Sequence, residues 1–346
     1  MRVPNGAMFD FLKNNPLVAG SRTARFRPRG MTMHLLIFFL VMMVSDFVAS
    51  LPASIYVIFR ALKQIDPFLL ANADPEDPTA LIEAFYEMAA TVVAEDGYIL
   101  TMLFSTLATA ILCVIYCRFI ERRPIWSMGL SVDSASLGRY GIGLLSGLAM
   151  FGLAFLIMYA SGALTVSGGR FAPVMLALYL LAFLIQGASE EILVRGYFMT
   201  SLTNSTGAGS AVICSALLFA ALHSGNVGAS FLALFNIFLF GILLGLIVFR
   251  TRSLFTAMAL HGIWNFAEGN IFGTAVSGIR PSHSFLISTL TDGRVTTNGG
   301  DFGPEGGAAV TLALVIALGV FLLLPQKSSP DADMPDRRDD EEKIDL

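Results

Sequence analysis

The sequence predicts an all-α protein: a polytopic membrane helix bundle of about eight transmembrane helices enclosing a polar intramembrane cavity. Three observations carry that prediction. Of 346 residues, 55% are hydrophobic and only 14% charged, against about 25% charged in an ordinary soluble chain. Mean hydropathy is +0.70. The apolar residues also fall into runs of about 20, the length a helix needs to cross a bilayer.

The spans are read at approximately 33–59, 98–120, 141–163, 178–202, 209–224, 229–249, 253–268 and 307–325. The first follows a basic segment, residues 1–32, in which Arg2, Lys13, Arg22, Arg25, Arg27 and Arg29 face only one acid, Asp10. This run is too long for the apolar core of a cleavable signal, so it reads as a retained signal anchor. Lys and Arg gather on the cytoplasmic side of membrane proteins. With eight spans, the amino end, Arg118, Arg122, Arg123, Arg250 and Arg252 share one side. A multi-pass protein of the plasma (inner) membrane with both termini cytoplasmic is the expectation.

Two segments exceed plain connectors. Residues 61–96 hold eight acids and one lysine, with a Pro-rich stretch and then a predicted helix from Thr79 to Val93. Residues 269–306 are rich in Gly, Thr and Ser. Each is either a cover for an outward-facing opening or an unremarkable extracytoplasmic loop. From Gln326 the chain carries eight acids and four bases, the composition of a disordered, solvated cytoplasmic tail. Cys113, Cys117 and Cys214 lie in apolar runs and read as small packing residues, not as a disulfide framework or a zinc site. A scattered net charge of −4 gives no reason to expect a nucleic-acid partner. The lipid bilayer is the partner that composition implies.

Ionisable groups inside spans cost roughly 2.5–3.5 kcal/mol each on insertion scales, so each requires a reason. The fourth span contains Glu190-Glu191-Ile-Leu-Val-Arg195. Adjacent helical residues point about 100° apart, whereas Glu191 and Arg195, four apart, share a face and can pair. That leaves Glu190 to face a cavity. His223 closes the fifth span, and His261 and Asn265 sit four apart in the seventh, projecting from one face. A self-neutralised ion network accounts for Glu191 and Arg195 but not for Glu190, and a packing histidine accounts for His223 alone but not for the whole set.

A carboxylate and a histidine converging on one point can activate water. A second histidine beside an amide can stabilise an oxyanion. Those are the parts of a peptide-bond hydrolase acting by direct attack of water, with no cofactor required. A second version makes Glu190, His223 and His261 zinc ligands, both residue types being common ones, although the spacing is not His-Glu-x-x-His. Two other classes share these residues. One is a proton-coupled transporter using Glu190, Glu191 and Asp46, against which the lack of an inverted repeat counts. The other is a non-catalytic membrane scaffold.

As an ordered set the residues resemble the CPBP intramembrane protease family, also called the CAAX-processing and bacteriocin-processing or Abi family. The pattern Glu-Glu-x-x-x-Arg, Phe-x-x-x-His, His-x-x-x-Asn is met by Glu190-Glu191-x-x-x-Arg195, Phe219-x-x-x-His223 and His261-x-x-x-Asn265. The resemblance runs from about residue 180 to 268, with Arg122-Arg123-Pro124 through Gly129-Leu130 similar to the family's lead-in. It implies a protease domain over 33–325 in which Glu190 and His223 activate water, His261 and Asn265 steady the oxyanion, and Glu191 and Arg195 shape and neutralise the site. It also implies a membrane-anchored protein or peptide as substrate, of the CAAX or bacteriocin type. Bacterial members include immunity-type proteins, so the non-catalytic reading stays open.

Overall fold

The computed structural model describes residues 10–12, 15–64, 79–169 and 171–325; the Pro-rich stretch 65–78 and the acidic tail lie outside the described residues. All eight apolar runs form helices. Five are long and apolar enough to cross a membrane: α1 (Gly30–Gln64), α2 (Asp96–Ile120), α3 (Ser136–Ala160), α4 (Pro173–Thr206) and α6 (Phe231–Thr251). Two shorter apolar helices, α5 (Ala208–Leu222) and α8 (Ala308–Leu323), pack with them. The eighth, α7 (Phe255–Phe266), continues as a π-helical turn over Ala267–Ile271. A polytopic all-α membrane bundle is the architecture.

The α4 boundaries exceed the expected 178–202 at both ends. Pro173 occupies the first turn, where its missing N–H is no loss. Gly207, at φ 82°, ends the helix in a conformation that suits glycine. Outward-facing apolar side chains such as Leu40, Phe47, Leu62 and Leu145 are more than 60% exposed, which in a bilayer means contact with lipid.

α7 is the inner helix, packed against both α3 and α4. Small residues let the backbones approach. A methyl group at Gly143 or Gly147 of α3 would meet the α7 carbonyl oxygens of Thr256 or Leu260 at 2.3 and 2.5 Å. Gly187 of α4 and Gly262 of α7 cross each other directly, a Cβ on Gly187 falling 2.6 Å from the Gly262 nitrogen. This crossing sets the α4 glutamates beside the α7 histidine.

The two ends of the bundle are tied by different segments. At one end the amino segment, the 121–130 turn and the 249–254 turn interlock. Asn15 donates to the Phe249 carbonyl (2.7 Å), Arg25 N–H to the Glu121 carbonyl and Leu254 N–H to the Gly129 carbonyl, both at 2.9 Å. At the other end, strand β1 (Leu164–Gly168) pairs antiparallel with β2 (Leu286–Leu290). Residues 272–307 fold there as an ordered cap: Asn298 donates to the Ala163 carbonyl (2.9 Å) and Asn236 of α6 to the Glu305 carbonyl (2.7 Å). The other long segment forms the expected helix, Thr79–Val92, which packs on α1 and lines no part of the cavity described below.

Gly262→Ala inserts a methyl 2.8 Å from the Leu184 Cα and is expected to destabilise by about 1–3 kcal/mol, the usual cost of overpacking. Gly138→Ala in α3, where a Cβ meets nothing within 4 Å, is the control. Thermal unfolding in detergent should show a lowered midpoint for the first and none for the second.

Candidate active site

Three helices bring the predicted residues together. Glu190 on α4, His223 just past the end of α5, and His261 and Asn265 on α7 line one cavity of about 550 Å³, counted out to its open mouth. Gln186, Ser277 and Glu305 complete its polar wall, and Leu103 of α2, Phe183 and Phe240 are among its apolar ones.

Glu191 turns away from the cavity and is fully buried. Its Oε1 accepts from Arg195 Nη1 at 2.9 Å and lies 3.0 Å from His261 Nδ1. The i,i+4 pair expected from sequence is therefore present, and it extends to a third member on α7. Arg195 is also fully buried, with Nε and Nη2 lacking hydrogen-bond partners. Its guanidinium lies 4.3 Å from the centroid of the Phe219 ring, a cation–π contact that gains strength in a dry interior. The same ring meets His223 edge-on at 4.6 Å between centroids. Phe219 thus supports both the cation and the histidine of its own motif. Directly after the glutamates α4 takes π-helical geometry over Ile192–Met199.

Glu190 has the opposite environment. Its side chain is 30% exposed. Oε1 accepts from Gln186 Nε2 at 2.5 Å, while Oε2 has no hydrogen-bond partner and lies 3.7 Å from His261 Nε2. Asn265 Nδ2 donates to Gln186 Oε1 at 2.8 Å, so an amide relay runs from Asn265 through Gln186 to Glu190.

The histidine tautomers follow from their acceptors. His223 Nδ1 is 2.8 Å from the Phe219 carbonyl; a carbonyl oxygen only accepts, so Nδ1 carries the proton and Nε2 keeps its lone pair in the neutral ring. His261 Nδ1 faces a carboxylate and likewise carries a proton. Its Nε2 edge points to the Glu190 side of the cavity.

Sequence reasoning missed four of the polar groups. Gln186 had a visible signal, a polar residue in an apolar run one turn before Glu190. Glu305 had none: it lies 44 residues beyond His261 in a Gly-rich loop. Its carboxylate accepts from Trp264 Nε1 (3.0 Å) and Ser277 Oγ (2.5 Å), and Asn226 donates to the Ser277 carbonyl (3.1 Å). Glu305 and Ser277 thereby join α7, the cap and the His223 turn around the mouth. Asp46 of α1 is absent from the cavity wall. Among the described residues, no three His, Cys, Asp or Glu side chains stand in metal-ligating geometry; Glu190, His223 and His261 share the cavity without forming such a cluster.

Residues 172–267 match the Rce1-like family, described as type II CAAX prenyl endopeptidase Rce1-like. This segment is similar to the CAAX-protease family core. It spans α4 through the start of the π-helical turn and contains every residue of the three motifs, while Ser277 and Glu305 of the cap lie beyond it. No curated protein and no solved structure matches the chain.

Glu191→Gln removes the charge that neutralises Arg195 in this core. Breaking one partner of a buried pair typically costs 3–5 kcal/mol, so unfolding in detergent should shift by about that amount. Glu190→Gln, at a half-open position without a cationic partner within hydrogen-bond distance, is expected to move stability by less than 1 kcal/mol. Equal losses in the two variants would remove the distinction drawn between the glutamates.

Proposed function

We propose that the protein is an intramembrane endopeptidase that hydrolyses membrane-anchored proteins or peptides by direct attack of an activated water. The observation that carries this reading is the convergence of Glu190, His223, His261 and Asn265 on one cavity, with the Glu190 Oε2 free of any protein donor.

In this reading the Glu190 carboxylate and His223 Nε2 hold water and Glu190 accepts its proton. The resulting hydroxide bonds to the carbonyl carbon of the scissile peptide. His261, protonated on both nitrogens between Glu191 and Glu190, donates from Nε2 to the developing oxyanion, and the second Asn265 N–H donates beside it. Collapse breaks the C–N bond, and the proton held by Glu190 passes to the leaving amine. One water is consumed, giving one carboxylic acid and one amine. Gln186 acts as a positioning residue, holding Glu190 by one oxygen so that the other meets water. No step of this reading is routed through a metal. The family match supports proteolysis of membrane-bound substrates as the reaction class.

The test is cleavage of a membrane-anchored peptide library by the purified protein in liposomes. Wild type should cut, Glu190→Ala should lose 10²–10⁴-fold, the range for a general base, and a chelator should leave the wild type unchanged. Loss of activity with chelator would convert the reading to a metallopeptidase; equal turnover by wild type and Glu190→Ala would place the protein among membrane scaffolds. Gln186→Leu is expected to lower kcat by about 10²-fold through misplacement of Glu190, with KM little changed.

A further inference from the structure

The two ends of the bundle differ in charge, and the cavity belongs to only one of them. At the closed end, the amino segment presents exposed Arg22, Arg25, Arg27 and Arg29, the last turn of α2 presents Arg118, and the turn after it presents Arg122. Arg250, at the end of α6, donates to the Phe321 carbonyl at 2.6 Å, which brings the end of α8 to the same side. Connections rich in Lys and Arg stay in the cytoplasm. The other end carries the β1–β2 pair and the cap. There the exposed segments hold far fewer cations, Lys63, Arg280 and Arg294 among them, and Arg60 is paired with Glu95 at 2.5 Å.

All the loop residues that line the cavity come from this second end: Asn226 from the turn after α5, Val276, Ser277 and Ile279 from the cap, and Glu305 from the approach to α8. The cap is also fastened to α2 and α4 at that end. Tyr179 Oη donates to Asp96 Oδ1 (2.5 Å), which also accepts from Ser282 N–H (3.2 Å). By contrast, no residue of the interlocked basic turns lines the cavity.

We infer that the cavity opens toward the extracytoplasmic face and that its substrates are exported or outer-leaflet-anchored peptides presented from that side, rather than prenylated C-termini delivered from the cytoplasm. The inference rests on the peptidase reading for its substrate class, and on charge asymmetry and cap geometry for its direction. Ser277 and Glu305 then stand on the substrate's path of entry, next to the catalytic residues.

The test separates direction from activity. Ser134→Cys, exposed at the basic end, and Asp292→Cys, exposed beside the cap, are placed singly in the full chain with Cys113, Cys117 and Cys214 replaced by alanine. A membrane-impermeant maleimide applied to intact bacterial cells should label Asp292→Cys and spare Ser134→Cys until the membrane is permeabilised. In proteoliposomes whose orientation is fixed by the same labels, a membrane-anchored unprenylated peptide and a farnesylated CAAX peptide are each supplied on one face or the other. The unprenylated peptide should be cut at least tenfold faster when presented at the Asp292 face. Reversed labelling overturns the inference, as does cleavage confined to the Ser134 face or faster cleavage of the farnesylated peptide from that face. Absence of cleavage from both faces overturns the peptidase reading, and with it the substrate class, while the labelling still decides the direction of opening.

Discussion

One fully buried carboxylate, Glu191, holds the helices of the candidate site in register. Its Oε1 meets Arg195 within α4 and His261 on α7, so a single oxygen joins the two elements that carry the site. A lone charge this deep would be expelled or neutralised. Here the carboxylate has a guanidinium one turn away, and the guanidinium has the Phe219 ring over its plane. The His261 ring is consequently fixed at one nitrogen, leaving the other aimed at the reacting region. Pre-set ring orientation of this kind avoids reorganisation during reaction, which is how an electrostatic site gains most of its effect.

That arrangement depends on close approach of backbone to backbone. The Gly187–Gly262 crossing places α4 against α7 with no side chain between them, and the 3.0 Å Glu191–His261 contact follows from it. The α3 glycines press α7 from the other side. Lipid tails are as apolar as leucine, so hydrophobic burial offers little to pull helices together inside a bilayer; close packing and internal polar contacts must do so. Glycine at the crossing and the ion network above it are therefore two parts of one solution.

The bundle itself was legible because hydropathy and span length are local properties. All eight helices could be placed, and the predicted pairing of Glu191 with Arg195 needed only the helical repeat. The convergence of Glu190, His223, His261 and Asn265 was legible through spacing combined with an ordered family pattern. What was not legible depended on tertiary folding. The link from Glu191 to His261 joins residues 70 apart. Glu305 enters the cavity wall only because the cap 272–307 folds back over the mouth, and its Gly-rich composition looks the same as that of a plain loop. The reverse also held: the acidic segment 61–96 looked as promising a cover as the cap, yet its described helix lies along α1 and away from the cavity.

Glu190 and Glu191 are the same residue type in adjacent positions, and their roles diverge because a helix turns about 100° between them. The buried one meets Arg195 and His261 through Oε1, while its Oε2 is enclosed without a hydrogen-bond partner. The other is held at one oxygen by Gln186, its second oxygen enclosed and unpartnered on the side of His261, in a side chain 30% exposed to the cavity. A carboxylate that stays ionised needs a polar lining or water to offset its desolvation. Glu190 stands midway along α4 (Pro173–Thr206), so the polar cavity that opens under the cap has to supply it. The cap contributes to that lining: Ser277 and the Glu305 carboxylate stand in the cavity wall, and Trp264 and Asn226 hold them in place. The turn between the two glutamates thus gives one carboxylate to the ion network between α4 and α7 and the other to the cavity wall.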